Sequence, residues 1–130
     1  MNEEQYTQIP TMIKNFANIG DIILDVKCGI SHTLATSQHG KVYSWGEGPG
    51  GKLGLGYSEA LGGCPDQHYP KEINKRLQEV EDQANYRIKF VGCGRNISII
   101  LKETGVVKMI GKGHYQKIRF DDHIRYSLPF

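Results

Sequence analysis

The sequence predicts an all-β protein in which one four-stranded antiparallel unit is written twice. The first observation is self-similarity. Val26–Gly48 (VKCGISHTLATSQHGKVYSWGEG) lies over Val91–Gly113 (VGCGRNISIILKETGVVKMIGKG) without a gap, at an offset of 65 residues (93 − 28 for the paired cysteines). Identities fall at Val26/Val91, Cys28/Cys93, Gly29/Gly94, Gly40/Gly105, Val42/Val107, Gly46/Gly111 and Gly48/Gly113, and the glycines punctuate both segments at the same places. The second is glycine content: 16 in 130 residues, about 12% against a usual ~7%, which favours turns over helices. The third is the β-branched and aromatic character of the runs between those glycines.

Each copy reads as three short strands and a fourth beside them. The first strand, Ile22–Val26 or Ile88–Val91, ends at the Cys-Gly pair, where glycine releases the backbone into a turn. The second, Thr33–Thr36 or Ser98–Leu101, leads into SQHG or KETG, and Gly40 and Gly105 stand where a hairpin needs positive φ. The third, Lys41–Trp45 or Val106–Ile110, closes on Gly-x-Gly. A fourth strand is expected ahead of each set, opened by Pro10 or Pro70, with Ile13 and Ile73 three residues later. Pro70 precedes Cys93 by 23 residues and Pro10 precedes Cys28 by 18, so the second copy holds five more. There Leu77, Val80 and Ala84 recur at helical spacing behind an Asn74 cap, which predicts a short surface helix. Tyr57–Tyr69, with Gly62, Gly63, Pro65 and Asp66, reads as a loop.

Bulk properties exclude several classes. At 130 residues the chain has the length of one domain, and 38% hydrophobic residues build a core. A formal charge of +2 gives no nucleic-acid footprint; in Gly111–Arg125, Lys112, Lys117, Arg119 and Arg125 are offset by Asp121 and Asp122. The N-terminus lacks the basic and apolar regions of a signal peptide, and no apolar run approaches the ~18 residues of a membrane span. Three cysteines without an export signal are expected as reduced thiols in an intracellular, cytoplasmic setting, with cytoskeletal and nuclear placement as alternatives.

The first copy resembles the repeat of the regulator of chromosome condensation family, whose pattern runs roughly V-x-x-G-x-x-H-x-x-x-L-x-x-x-G-x-V-y-x-W-G, followed by G-Q-L-G-x-G. Val26, Gly29, His32, Gly40, Val42, Tyr43, Trp45 and Gly46 match in order. Gly51, Leu53, Gly54 and Gly56 follow, with Lys52 in place of Gln. The second copy keeps Gly94, Gly105 and Gly111 but has Ile97 for the histidine and Ile110 for the tryptophan. The resemblance covers about Ile9 to Gly113 and implies a partial β-propeller of about two blades with a short helical insertion in the second. The blades fall at about 9–56 and 70–113, with a connector at 57–69 and a tail at 114–130. It also implies a buried, hydrogen-bonded role for His32 and a place for Trp45 between blades, against the alternative of an interface hot spot.

Several motifs compete with that structural reading. Gly46, Gly51 and Lys52 satisfy G-x-x-x-x-G-K, but Leu53 stands where a phosphate loop needs Ser or Thr, and the following glycines disfavour a helix. The loop is expected to turn the chain between blades. Cys28-x-x-x-His32 and Cys64-x-x-x-His68 have the composition of a zinc set, which gives the alternative of a metal-stabilised β domain. Ser31 and His32 are adjacent on a strand and point to opposite faces, so they do not form a hydrolytic pair. Asp21 and Asp25 read as turn and surface groups. No catalytic or cofactor residue is assigned.

Two blades leave two faces uncovered. The leading expectation is a non-catalytic interaction or scaffold subunit held by protein partners, or by another copy, within a larger assembly. The Gly46–Gly56 loop, the connector and the tail, with Tyr115, Phe120, Tyr126 and Phe130, are the expected contacts; a disordered tail is the alternative. The rival account is a stretch of a longer propeller, against which the initial Met and the worn second copy point to a natural end. The resemblance further implies nucleotide exchange on small GTPases for some members, with no residue carried onto this chain.

Overall fold

A computed structural model describes residues 8–14, 16, 20–56, 62–77, 87–111 and 114–119. Within them the chain forms two four-stranded antiparallel sheets. The first contains β1 (Ile23–Cys28), β2 (His32–Ser37), β3 (Val42–Gly46) and β4 (Gln67–Glu72), in that spatial order. A helical turn, α1 (Asn74–Leu77), follows. The second sheet contains β5 (Ile88–Cys93), β6 (Ile97–Lys102), β7 (Val106–Gly111) and β8 (His114–Arg119), again in chain order.

The two copies share their irregularities as well as their strands. Register shifts between Ile23 and Asp25 in the first sheet and between Ile88 and Phe90 in the second, so the bulge falls on Leu24 and Lys89, an equivalent pair. Gly40 and Gly105 turn the β2–β3 and β6–β7 hairpins with φ of 73° and 91°, the left-handed region that side-chain-bearing residues resist.

The fourth strands lie elsewhere than expected. Pro70 belongs to β4, which pairs with β3 and so closes the first sheet; it does not open the second. The loop brings it there: Pro49 bridges Gly63, and the Asp66 carboxylate accepts the Gly48 N–H at 2.9 Å. At an outer edge Pro70 has no ladder bond to lose. No strand forms around Pro10 among the described residues. The second sheet takes its fourth strand from the tail instead, with β8 pairing along β7 from Gly111↔His114 to Val106↔Arg119. Phe120, Tyr126 and Phe130 lie outside the described residues.

The helical insertion is not borne out as an amphipathic surface element. Only the turn α1 is formed among the described residues; Val80 and Ala84 lie outside them, and Leu77 is buried. Asn74 reaches across to the first sheet, where its Oδ1 accepts the Val42 N–H at 2.7 Å and its Nδ2 donates to Gly40 O at 3.1 Å.

The core lies between the sheets. Leu34 and Val42 of the first sheet pack with Ile88, Val91, Ile100 and Ile110 of the second, and Ile73 and Leu77 join from the connecting segment. Because strand side chains alternate, β2 and β3 commit one face to this core and turn Ala35, Tyr43 and Trp45 to the other. Ile100→Ala, at the centre of the cluster, is expected to lower the unfolding free energy by about 2–5 kcal/mol. Leu24→Ala, on the exposed bulge, is expected to change it by less than about 0.5 kcal/mol in the same urea titration.

Candidate functional site

The working surfaces of this molecule are the faces and edges of its blades. Where the two blades meet, residues of the first bond to backbone carbonyls of their own repeat equivalents in the second. The Ile30 N–H donates to Arg95 O at 3.1 Å, and Nε2 of His32 lies 3.1 Å from Ile97 O. Both pairs are 65 residues apart, so the first blade grips the second at matching positions. Gly40 O accepts the Ile88 N–H at 2.9 Å, and Arg87 Nη2 donates to Gln38 O at 2.7 Å. The Cys93 thiol faces Lys27 O at 3.4 Å; burial pushes that thiol up to about 11, so it stays protonated.

His32 sits deep in this seam. A carbonyl only accepts, so the Nε2 nitrogen carries the proton and donates to Ile97. Its Nδ1 is buried with no hydrogen-bond partner among the described residues. Burial lowers the imidazole pKa against the opposing pull of the Ile97 carbonyl, and the Lys52 ammonium lowers it further. Gly29 makes room for the ring: a Cβ there would run into the imidazole and into the Gly94 carbonyl. In the second blade Gly94 makes room for Ile97 in the same way. Isoleucine fills the histidine's place without its donor.

The Gly46–Gly56 loop is packed between the blades. Ser44 Oγ donates to Leu53 O at 2.7 Å from one side, and Ser98 Oγ donates to Lys52 O at 2.5 Å from the other. Leu53 is fully buried. Lys52 turns inward, its ammonium donating to Pro49 O at 3.1 Å with Glu47 at 3.5 Å. Ser31 bonds the same Glu47 carboxylate, and these two contacts hold Glu47 below the usual carboxylate range.

On its far side the first blade is only partly covered. Val26 is 49% exposed, whereas Val91, its equivalent in the second blade, is 0% exposed because the first blade lies over it. Ile22, Leu24 and Ile30 are exposed along the same inner strand and its turns. Trp45 is also on this face, turned away from the second blade; Phe16 from the N-terminal segment meets it at 6.1 Å and meets Tyr43 edge-on at 5.0 Å. Sequence reasoning missed Phe16, which no position of the repeat motif marks.

Asp21 is a correction as well. It is a buried hub, with Oδ1 2.7 Å from His39 Nδ1 and Oδ2 accepting the Tyr43 hydroxyl at 3.0 Å. Burial raises its pKa, but hydrogen bonds from Ser37, Tyr43 and His39 outweigh that and leave it lowered. Asp25 is paired with Lys27 at 3.4 Å, as a surface group would be.

The metal alternative gathers no support from these positions. Among the described residues no three His, Cys, Asp or Glu side chains converge. Cys28 is exposed, Cys64 is buried against Gly48 O, and His32 is spent on Ile97. Ser31 and His32 point to different partners, Glu47 and Ile97. No helix among the described residues is long and apolar enough to cross a membrane.

The two four-stranded sheets, their 65-residue offset and the glycine-lined histidine define a repeat that can be compared. Two models of the Regulator of chromosome condensation (RCC1) repeat match, at residues 39–101 and 23–51, and together they span more than half of the sequence. The chain belongs to this repeat family. Human E3 ubiquitin-protein ligase HERC2 is 39% identical over 108 residues, which is 80% of this chain and 2% of that protein. Serine/threonine-protein kinase Nek8 from Danio rerio is 30% identical over 105 residues, 81% of this chain and 13% of the kinase. Among solved structures, Prp20p from Saccharomyces cerevisiae, described with its binding properties to Gsp1p and histones, has a TM-score of 0.54 at 21% identity. That match covers 70% of this chain and 20% of Prp20p, and it shows the fold. The chain spans a small part of each of these proteins.

Two measurements test the seam. Gly29→Ala is expected to destabilise the protein, and to do so less in a His32→Ala background, with a coupling of about 0.5–3 kcal/mol in a double-mutant cycle. Part of the cost remains because the Gly94 carbonyl also crowds that position. The second is pH. A lowered His32 pKa means the unfolded chain binds the proton first, so stability is full above about pH 6.5 and declines as pH falls. Asp21, also lowered, contributes above its unfolded value near 3.9 and is lost as pH drops through its folded value. A thermal-midpoint profile should therefore decline in two stages, with His32→Asn removing the first and Asp21→Asn reducing the second, to which the lowered Glu47 also contributes.

Proposed function

We propose that this chain is a non-catalytic docking module that binds protein partners through its blade faces. One observation carries the reading: Val26 is 49% exposed where its repeat equivalent Val91 is 0% exposed. Fully covering a valine side chain contributes about 1.5–3 kcal/mol, and the second blade shows what that cover is, namely the aliphatic face of another sheet. The relatives support it from another direction. A protein named as a ubiquitin ligase and one named as a kinase match this stretch, and those are different reactions, so what the stretch shares is the fold and its surfaces.

The docking surface runs over Val26, Ile22, Leu24 and Ile30, and the two described blades act as one unit through their common seam. A second reading is favoured by the likeness to Prp20p, described as binding Gsp1p: the blades serve within a propeller that regulates a small GTPase. A nucleotide-release assay on a small GTPase separates the two, since the docking module alone leaves release unchanged.

The test of the leading reading is a pair of variants. Val26→Asp should leave the thermal midpoint within a few degrees of the parent, because the position is half exposed and the carboxylate can reach water. It should also remove proteins that cross-link to the parent chain through the first blade, as read by mass spectrometry. Identical cross-links from parent and variant would sink the proposal.

A further inference from the structure

The Asp21 hub holds an imidazole that the docking face does not use. His39 stands on the β2–β3 hairpin with its side chain 57% exposed, while the Asp21 side chain it meets is 4% exposed. Oδ1 of Asp21 accepts the Ile22 N–H at 3.0 Å and lies 2.7 Å from His39 Nδ1; Oδ2 accepts the Tyr43 hydroxyl at 3.0 Å. Burial works against the charge, but these bonds and one from Ser37 hold the carboxyl below its ordinary range. A carboxylate only accepts, so in the neutral ring Nδ1 carries the proton and Nε2 keeps its lone pair. With Nδ1 on a buried group, the exposed side of the ring is the Nε2 side. The hairpin itself does not need this pair. Thr104 stands at the repeat equivalent of His39 (104 − 39 = 65), and the sequence has Tyr86 at that of Asp21 (86 − 21 = 65). The β6–β7 hairpin nevertheless turns at Gly105 as β2–β3 turns at Gly40.

A nucleophile oriented by one group, which a third group fixes in turn, is the arrangement that takes up an electrophile. The surroundings select which one. Arg87 lies along the same turn: its Nη2 donates to Gln38 O at 2.7 Å, and a Cβ on Gly40 would run into Arg87 Cβ and Cγ. Lys41 follows two residues after His39, paired with Glu72 at 3.2 Å. Cations at this turn favour a dianionic group over a neutral acyl group, and a guanidinium binds phosphate through two parallel hydrogen bonds. We propose that Nε2 of His39 is a phosphoryl-acceptor site whose phosphate is received by Arg87. The donor is of the phosphoramidate class, with phosphorus on a protonated nitrogen. The Nε2 lone pair forms the new N–P bond as the donor's P–N bond breaks, and the donor nitrogen departs as a neutral amine with its protons. The ring is left with a positive charge, its Nδ1–H facing the Asp21 carboxylate. Arg87 exchanges its Glu103 contact, 3.4 Å at Nε, for phosphate oxygens. Because Arg87 also ties the second blade to Gln38 of the first, the modification acts on the seam. The site is separate from the docking face and stands whether or not Val26 meets a partner.

The test treats the full chain with potassium phosphoramidate at neutral pH and maps the product without acid, in which phosphohistidine is lost. His39 is expected to react about tenfold faster than His68, which is exposed and makes no side-chain hydrogen bond among the described residues. The phosphate is expected on Nε2 alone, as phosphorus–proton couplings of the ring distinguish. Asp21→Asn should bring His39 down to the His68 rate, in a chain whose amide spectrum shows that it is folded. Phosphorylation should also shift the Arg87 Nε resonance. Equal rates at His39 and His68, or phosphate on His39 Nδ1, would overturn the proposal in the parent chain itself, without recourse to a variant. So would an Arg87 resonance that stays in place when His39 is modified.

Discussion

The structure depends on a simple constraint: a sheet with two apolar faces must be covered on both. Among the described residues that cover is supplied where the face carrying Leu34 and Val42 meets the face carrying Val91 and Ile100. The bonds that fix that meeting are few and specific. Ile30 reaches the carbonyl of Arg95, His32 that of Ile97, and Cys93 that of Lys27. Because donors and acceptors sit at equivalent or adjoining positions of the repeat, one geometry serves both sides of the seam. Gly29 and Gly94 follow from the same geometry, since the turn that presents these groups has no space for a Cβ.

The far side of the first blade shows a partial substitute for a neighbour. Phe16 packs against Tyr43 and Trp45, while Asp21 gathers the Tyr43 hydroxyl and the imidazole of His39. Together they shelter Ala35 and Tyr43 but stop short of Val26. Burying Asp21 is tolerable because its carboxylate is met by donors on several sides, which also leaves its pKa lowered although burial by itself raises it. The same contact pushes the Tyr43 hydroxyl up, through burial first and the neighbouring carboxylate second.

Much of this was legible in the sequence, and the reasons are local. Glycine spacing and β-branched runs mark six of the strands to within two residues, because hairpin turns leave their signature in the residues that make them. Gly40 and Gly105 are the clearest cases. The fourth strands were misplaced because their partners are set by where a loop returns, and nothing in Pro-x-x-Ile says which sheet it will join. β8 lay hidden in a tail outside the matched pattern. Asp21 and Phe16 were missed for a related reason: their importance comes from what they touch in space, and neither carries a motif. The helix expected over Leu77, Val80 and Ala84 rested on a period too short to tell a surface face from a buried one, and Leu77 is buried.

The replacement of His32 by Ile97 across the repeat makes the two blades unequal in how they hold a neighbour. An imidazole at that place tethers the following backbone through a directed bond, while an isoleucine offers only contact. The seam between the described blades is therefore directional: the ring N–H reaches from the first blade into the second, and angle as well as distance fixes the fit.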